Sequence, residues 1–291
     1  MFKFKGLLVQ SGTVSRILVL VGTSIFFGIF GMLLWTIFTN RDISDIHTLK
    51  TMQFIQAIGV FILPPLVLSY LWSEKPIEYL RLHKKSKALD VIYVFVFMVL
   101  IIPFVNLLGD LNQHMELPKA LEGIENWMKT SEKQAQILTE KLLAVKDVQG
   151  LFVNILLIAI LPALGEELIF RGALQRILHE WKGAIFAIWV TAFVFSAIHM
   201  QFYGFVPRLL MGAFFGYLLV WSGNLWMPIL AHFTNNVLAV IFYYFKNNGY
   251  QMPDIDTIGT GETIWLGIVS GALGVFGFFF LKKYFEKQKV E

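Results

Sequence analysis

Two adjacent carboxylates and an arginine stand in the stretch LPALGEELIFRG (161–172), directly after a run of apolar residues. Charges where lipid or packed protein is expected are costly and usually mark function. On a helix Glu167 and Arg171 are four residues apart, share a face and can pair. Glu166 is turned away by about 100° and has no cation on its own face. A carboxylate left without a partner in a site of low dielectric is a candidate general base. The plainer reading is an ion pair that closes a helix end at the membrane surface.

The histidines bear on that choice. There are six, His47, His83, His114, His179, His199 and His232, and only the last two fall within or at the end of apolar runs. His199 ends AFVFSAIH, with Phe195 one turn earlier on its face, and His232 lies in MPILAHFTNNVLAV, with Asn236 one turn later. A lone membrane histidine is commonly a helix–helix hydrogen-bonding residue. Two of them, an asparagine and a spare carboxylate on three nearby helices favour a shared site.

Such residues meet only if their helices bring them to one level. Glu166 and His199 are equidistant from the Lys182–Gly183 junction. If the chain hairpins there, each lies about 24–25 Å from the turn at 1.5 Å rise per residue. His232 lies about 10 Å beyond the short turn Ser222–Asn224 by the same rise, which argues for the inner half of the membrane. The apolar run 184–198 pushes Glu166 toward the middle. A bend at Pro162 or Gly172 would reconcile the two.

The elements that must position these residues are membrane helices. Of the 291 residues 56% are hydrophobic and only 15% charged, with mean hydropathy +0.65, far more apolar than a soluble domain. Apolar runs at about 17–38, 52–72, 91–109, 149–170, 184–200, 207–221, 225–245 and 263–281 predict an all-α polytopic membrane protein. It has about eight transmembrane helices around an intramembrane catalytic cavity, and most runs reach the ~20 residues that a bilayer core requires. The chain reads as one integral membrane domain, 1–291, with catalytic core helices over 150–245. GFVPR (204–208) is read as a turn between two shorter runs. With no cysteine, disulfides, thiolate nucleophiles and Cys-ligated metals are excluded. The net charge of +4 is small, and the basic residues sit between apolar runs, so no nucleic-acid partner is expected.

Lys3, Lys5 and Arg16 precede the first run, Arg81, Lys84, Lys85 and Lys87 follow the second, and Lys282, Lys283, Lys287 and Lys289 follow the last. The positive-inside rule then puts both termini in the cytoplasm. The sizeable polar piece, Asp110–Gln149, is expected outside as an amphipathic connector, with a helix over Glu132–Lys146. It is either a plain surface connector or a lid over a substrate entrance.

EELIFR (166–171) resembles the EExxxR motif of the CPBP family, which comprises CAAX proteases and bacteriocin-processing enzymes and is also called Abi. FSAIH (195–199) is similar to the family's FxxxH, and HFTNN (232–236) to its HxxxN/D. The three stand in order over about seventy residues. The resemblance implies an intramembrane endopeptidase, similar to type II CAAX prenyl endopeptidases, of a bacterial cytoplasmic membrane. Carried over by position, Glu166 is the general base, His199 holds the water or a metal, and His232 and Asn236 stabilise the oxyanion. Glu167 and Arg171 hold these groups in place. The implied substrate is a hydrophobic or lipidated peptide that arrives from the membrane lipid.

Metal is left open at this point. Glu166, His199 and His232 would make a three-ligand zinc site, and family members are often called metalloproteases. HExxH is absent, and the ligands would come from three helices. A metal-independent glutamate mechanism is preferred. A non-proteolytic scaffold of the same family and a transporter are the competing classes, and oligomeric state is not legible.

Overall fold

The structure, a computed structural model, describes residues 4–39, 42, 45–115, 117–251 and 255–289. Lys3, used above for topology, lies outside the described residues. Those residues form helices and no strand. In chain order the main helices are α1 (Thr13–Phe38), α2 (Ile46–Trp72), α3 (Ala88–Leu100), α4 (Ile102–Gln113), α5 (Glu122–Leu143), α6 (Val148–Lys182), α7 (Ala184–Ala197), α8 (Phe205–Ser222), α9 (Trp226–Asn247) and α10 (Ile264–Gln288).

Six spans among the described residues are long and apolar enough to cross a membrane: α1, α2, α6, Phe202–Ser222, α9 and Gly261–Gln288. The α3–α4 pair bends by 40° and makes a seventh if it counts as one broken span. Pro103, the second residue of α4, cannot donate to the ladder, and its ring crowds the carbonyl four residues back. At 14 residues α7 is shorter than a crossing. The protein is therefore an all-helical, multi-pass membrane protein with six or seven such spans.

Two long helices carry proline in their interiors and widen just before it. In α2 the segment Ala57–Ile62 adopts π-turns ahead of Pro64 and Pro65, and in α6 Ile155–Ile160 does so ahead of Pro162. A π-turn absorbs the carbonyl that proline can neither bond nor tolerate nearby. The widened segment of α6 is tied to α2 just ahead of the latter's own, where Gln53 Nε2 donates to the Leu157 carbonyl at 3.3 Å. A third π-segment, Leu168–Leu174, follows the glutamate pair.

Packing forms two main clusters. Leu68, Trp72, Leu80, Leu168, Ile177 and Leu225 are buried between α2, α6 and the start of α9. Val94, Met98, Phe215, Leu218, Met227 and Leu281 are buried between α3, α8, α9 and α10. Outward faces of α1 and α10 expose Leu18, Ile25, Ile29, Phe276 and Phe279, as lipid-facing helices do. Gly165 lets α6 touch α2: a Cβ there would lie 2.8 Å from the Phe61 Cβ.

Two expectations are corrected. The amphipathic helix begins at Glu122 and ends at Leu143, not Glu132–Lys146. Its start carries Glu122 and Glu125 in the first turn, where acids suit the helix dipole. GFVPR is mostly helical, because Pro207 falls in the first turn of α8, where a missing N–H costs nothing. The chain reverses earlier, at Met200, which takes a left-handed φ of 54°. Gly183 (φ 82°) and Gly223 (φ 61°) make the other two expected reversals, after α6 and α8.

Candidate active site

The glutamate pair ends the regular α-helical stretch Leu161–Glu167 of α6. Glu167 Oε1 accepts from Arg171 Nη1 at 2.8 Å, and neither side chain is exposed at all. The same oxygen lies 2.9 Å from His232 Nδ1. A carboxylate can only accept here, so Nδ1 carries the hydrogen and Nε2 faces away from Glu167. On that far side His232 Nε2 stands 3.9 Å from Glu166 Oε2. One buried glutamate therefore fixes both the arginine and the histidine, and the histidine presents its other nitrogen to the second glutamate.

Glu166 differs from its neighbour. Its side chain keeps 14% exposure, and Oε2 has no hydrogen-bond partner among the described residues. A separation of 3.9 Å is too long for a hydrogen bond, but one water can reach both groups.

Arg171 is held from three sides. Nη2 donates to the Gly212 carbonyl at 2.9 Å, and the guanidinium carbon lies 4.6 Å from the Phe195 ring centre and 5.3 Å from that of Phe215. One turn on, Gln175 Nε2 donates to the Gly216 carbonyl at 3.1 Å. Residues four apart on α6 thus read carbonyls four apart on α8. Those carbonyls are reachable because Gly212 and Gly216 have no side chains: a Cβ at Gly212 would lie 3.3 Å from Arg171 Nη2, and one at Gly216 2.8 Å from Gln175 Oε1.

The imidazole of His232 stacks on Phe215 at 5.4 Å and meets Phe195 edge-on at 5.9 Å. His199 also lies against Phe195, 5.1 Å from its ring. Its Nδ1 donates to the Phe195 carbonyl at 2.7 Å, which leaves Nε2 as the acceptor of the neutral ring. No hydrogen bond joins His199 to either glutamate among the described residues. Asn236 stands one turn beyond His232 on α9, half-buried, and its Oδ1 accepts from Asn235 Nδ2 at 3.2 Å.

The structure thus gathers Glu166, Glu167, Arg171 and His232 into one network, with His199 against the same Phe195 ring as His232 and Asn236 a turn away. His232 reaches both glutamates, so these three side chains stand at one level of the bundle. No group of three or more His, Asp or Glu side chains among the described residues is arranged to hold a metal ion. Glu166, His199 and His232 as they stand do not fit a three-ligand zinc site. Of the five cavities that stand out, none is lined by Glu166, His199, His232 or Asn236; Arg171 lines a small void of about 10 Å³.

Sequence reasoning missed Phe215, Gln175, Gly212, Gly216 and Arg208. The small-xxx-small spacing of Gly212 and Gly216 in an apolar helix was the available signal for close helix approach. Arg208 opens α8, donates to Gln201 Oε1 at 2.7 Å, and lies within electrostatic reach of Glu166 and of Glu132 on α5.

Residues 148–238 match the family model of type II CAAX prenyl endopeptidase Rce1-like proteins. Over 84 residues the chain is 29% identical to an uncharacterized protein, YpbD, of Bacillus subtilis (strain 168), covering 28% of this chain and 40% of that protein. Over 117 residues it is 28% identical to an uncharacterized 24.3 kDa protein of Escherichia coli, covering 37% of this chain and 52% of that protein. The chain thus spans about half or less of the length of these curated relatives. No solved structure matches it. The matched segment holds the two glutamates, Arg171 and both histidines, so the site-bearing part of the chain is similar to the CAAX protease-type, Rce1-like family.

Proposed function

We propose that this protein is an intramembrane endopeptidase that hydrolyses a peptide bond in a hydrophobic or lipidated peptide by glutamate-activated water. One observation carries the reading: Glu167 Oε1 is committed to both Arg171 and His232, while Glu166 makes no hydrogen bond among the described residues and sets a buried carboxylate oxygen 3.9 Å from His232 Nε2. A structural ion pair needs one glutamate. The second has no packing role that would repay its burial.

In this reading a water bound between Glu166 Oε2 and His232 Nε2 attacks the scissile carbonyl carbon. Glu166 takes the proton, so the new C–O bond forms as the carbonyl electrons move onto its oxygen. With Nδ1–H given to Glu167, His232 accepts the water's second hydrogen at Nε2, and the Asn236 side-chain amide is the donor that faces the developing negative charge. Glu166 then returns the proton to the departing amide nitrogen as the C–N bond breaks. Glu167 keeps His232 in one tautomer throughout, as a carboxylate behind an imidazole does. No metal enters these steps.

The substrate arrives laterally from the lipid, which suits a site on membrane helices, and both termini face the cytoplasm. In this reading the helix α5, which packs Trp127 against Phe202 at 5.1 Å near the start of α8, covers the approach. Purified full-length protein is tested with a prenylated peptide ending in a CAAX sequence and with the same peptide unprenylated. Cleavage of the first, lost in Glu166→Gln, supports the reading. A folded wild-type protein that cleaves neither and binds a membrane partner equally well with Glu166→Gln favours a scaffold.

A further inference from the structure

A second polar site lies on the other side of Arg171. Where α2, α6, α8 and α10 end, a cavity of about 820 Å³ is lined by Arg81, His83, Lys84, Arg176, His179 and Lys289, and also by the carboxylates of Glu74 and Glu78. The small void beside Arg171 shares Arg81, Arg176 and His179 with it. Lys75 and Glu78 on its rim pair with each other at 3.0 Å, and Arg176 pairs with Glu180 at 3.1 Å. None of the ion pairs among the described residues involves Arg81, Lys84 or Lys289.

Two ordinary explanations for these cations fall short. The first is helix capping. Arg81 Nη1 donates to the Leu219 carbonyl at 3.5 Å, Lys84 Nζ to that of Ser222 at 3.4 Å and Lys289 Nζ to that of Val220 at 2.7 Å. A helix C-terminus carries roughly half a negative charge, whereas three full positive charges sit on this one. Each cation spends one donor and keeps several. The second is the topology bias of basic residues. That bias needs cations on one side of the membrane, not converging on a cavity with their backbones fixed. Arg81 is fixed in this way: it takes a left-handed φ of 56°, and its carbonyl accepts from Leu225 N at 3.1 Å.

The cations also disturb one another. Burial, then Arg176, holds the Arg81 guanidinium below its ordinary range. Burial, then Lys84 and Arg81, does the same to the Lys289 ammonium. The Arg176 guanidinium lies 4.0 Å from the centre of the Tyr79 ring, and Tyr79, itself 5% exposed, lines the same cavity. The Tyr79 hydroxyl finds no partner of normal hydrogen-bond geometry, although Arg16 lies beside it. An anion with several acceptor oxygens is the class of ligand that suits the donors Arg81, Lys84 and Lys289 keep.

We propose that this cavity binds a phosphate-class anion, held by Arg81, Lys84, Arg176 and Lys289. Planar guanidiniums suit phosphate oxygens in pairs, and ammoniums supply point charges. The volume exceeds what a bare phosphate fills and leaves room for an esterified group. Its place at the ends of four spans is the depth of lipid headgroups. A free phosphate compound and an anionic phospholipid present the same oxygens.

The test uses the full chain in a non-ionic detergent and follows its melting. Inorganic phosphate is titrated in one arm, and short-chain phosphatidylglycerol in the other, with phosphatidylcholine as control. The proposal expects saturable stabilisation by phosphatidylglycerol, by phosphate or by both, and none by phosphatidylcholine. Response to the lipid alone identifies a headgroup; response to both identifies a soluble phosphate compound as an eligible ligand. The double variant Lys84→Gln/Lys289→Gln, both exposed positions, should weaken the effect about tenfold, the size of losing charge-assisted hydrogen bonds. Equal responses to all three additives in the wild type overturn the proposal, whatever the variant does. So does an unchanged response in the folded double variant.

Discussion

Glu166 and Glu167 are neighbours in sequence and opposites in circumstance. Glu167 has no exposed surface and serves two partners, Arg171 and His232. Glu166 keeps some exposure and makes no hydrogen bond among the described residues, whereas Glu167 leaves only Oε2 without a partner. On the Glu167 side the network is closed by Phe195, Phe215 and the Gly212 carbonyl. On the Glu166 side it ends at a histidine nitrogen 3.9 Å away. A membrane protein can keep a charge for architecture or for chemistry, and here the two uses sit on successive residues. The closed side should govern stability and the open side turnover.

The largest stability effect should come from opening the closed side. Glu167→Gln leaves Arg171 buried without its counter-charge and should cost roughly 3–5 kcal/mol, read as a lowered melting temperature in detergent. A loss no greater than that of Glu166→Gln would erase the distinction. Next comes the packing that presents the pair. Gly165→Leu drives a side chain into Phe61 and Ile62, where even a Cβ lies at 2.8 Å. Overpacking of this kind costs about 1–3 kcal/mol. Because it moves α6 against α2, it should lower both stability and cleavage, and an effect on neither would show that the helices do not meet there.

Exposed charges should matter least, which sharpens the contrast with the buried pair. Lys75 and Glu78 pair at 3.0 Å with side chains 69% and 50% exposed. Their coupling in a double-mutant cycle should be at most about 0.5 kcal/mol. Chelation is expected to do nothing at all. Turnover should survive excess chelator, and active protein should carry no stoichiometric zinc. Zinc near one equivalent, lost together with activity in His232→Ala, would overturn the metal-independent reading.

The parts of this site that follow one helix were legible in the sequence. Glu167 pairs with Arg171 because residues four apart share a face, and Phe195 lies beside His199 for the same reason. The helices themselves followed from their apolar runs, and the reversals from Gly183 and Gly223. What joins helices was harder to read. Nothing in the spacing says that His232 turns Nδ1 to Glu167 and Nε2 to Glu166. Nor does it say that Arg171 reads the carbonyl of Gly212, since a backbone acceptor has no sequence signature beyond the missing side chain. The π-segments shift register by a residue in ways that apolar periodicity does not resolve. The start of α5 was missed by ten residues, although Ile124, Trp127 and Met128 stand at helical spacing and carried the signal.

The most direct test sets Glu166→Gln beside the wild type, with cleavage of a prenylated peptide and thermal melting measured on the same preparations. Glutamine keeps the volume of the side chain and removes its capacity to take a proton. The account predicts that the variant melts close to the wild type while cleavage falls by at least ~10²-fold, the lower range for losing a general base. Retained cleavage in a folded Glu166→Gln protein would contradict the central claim that Glu166 activates the water.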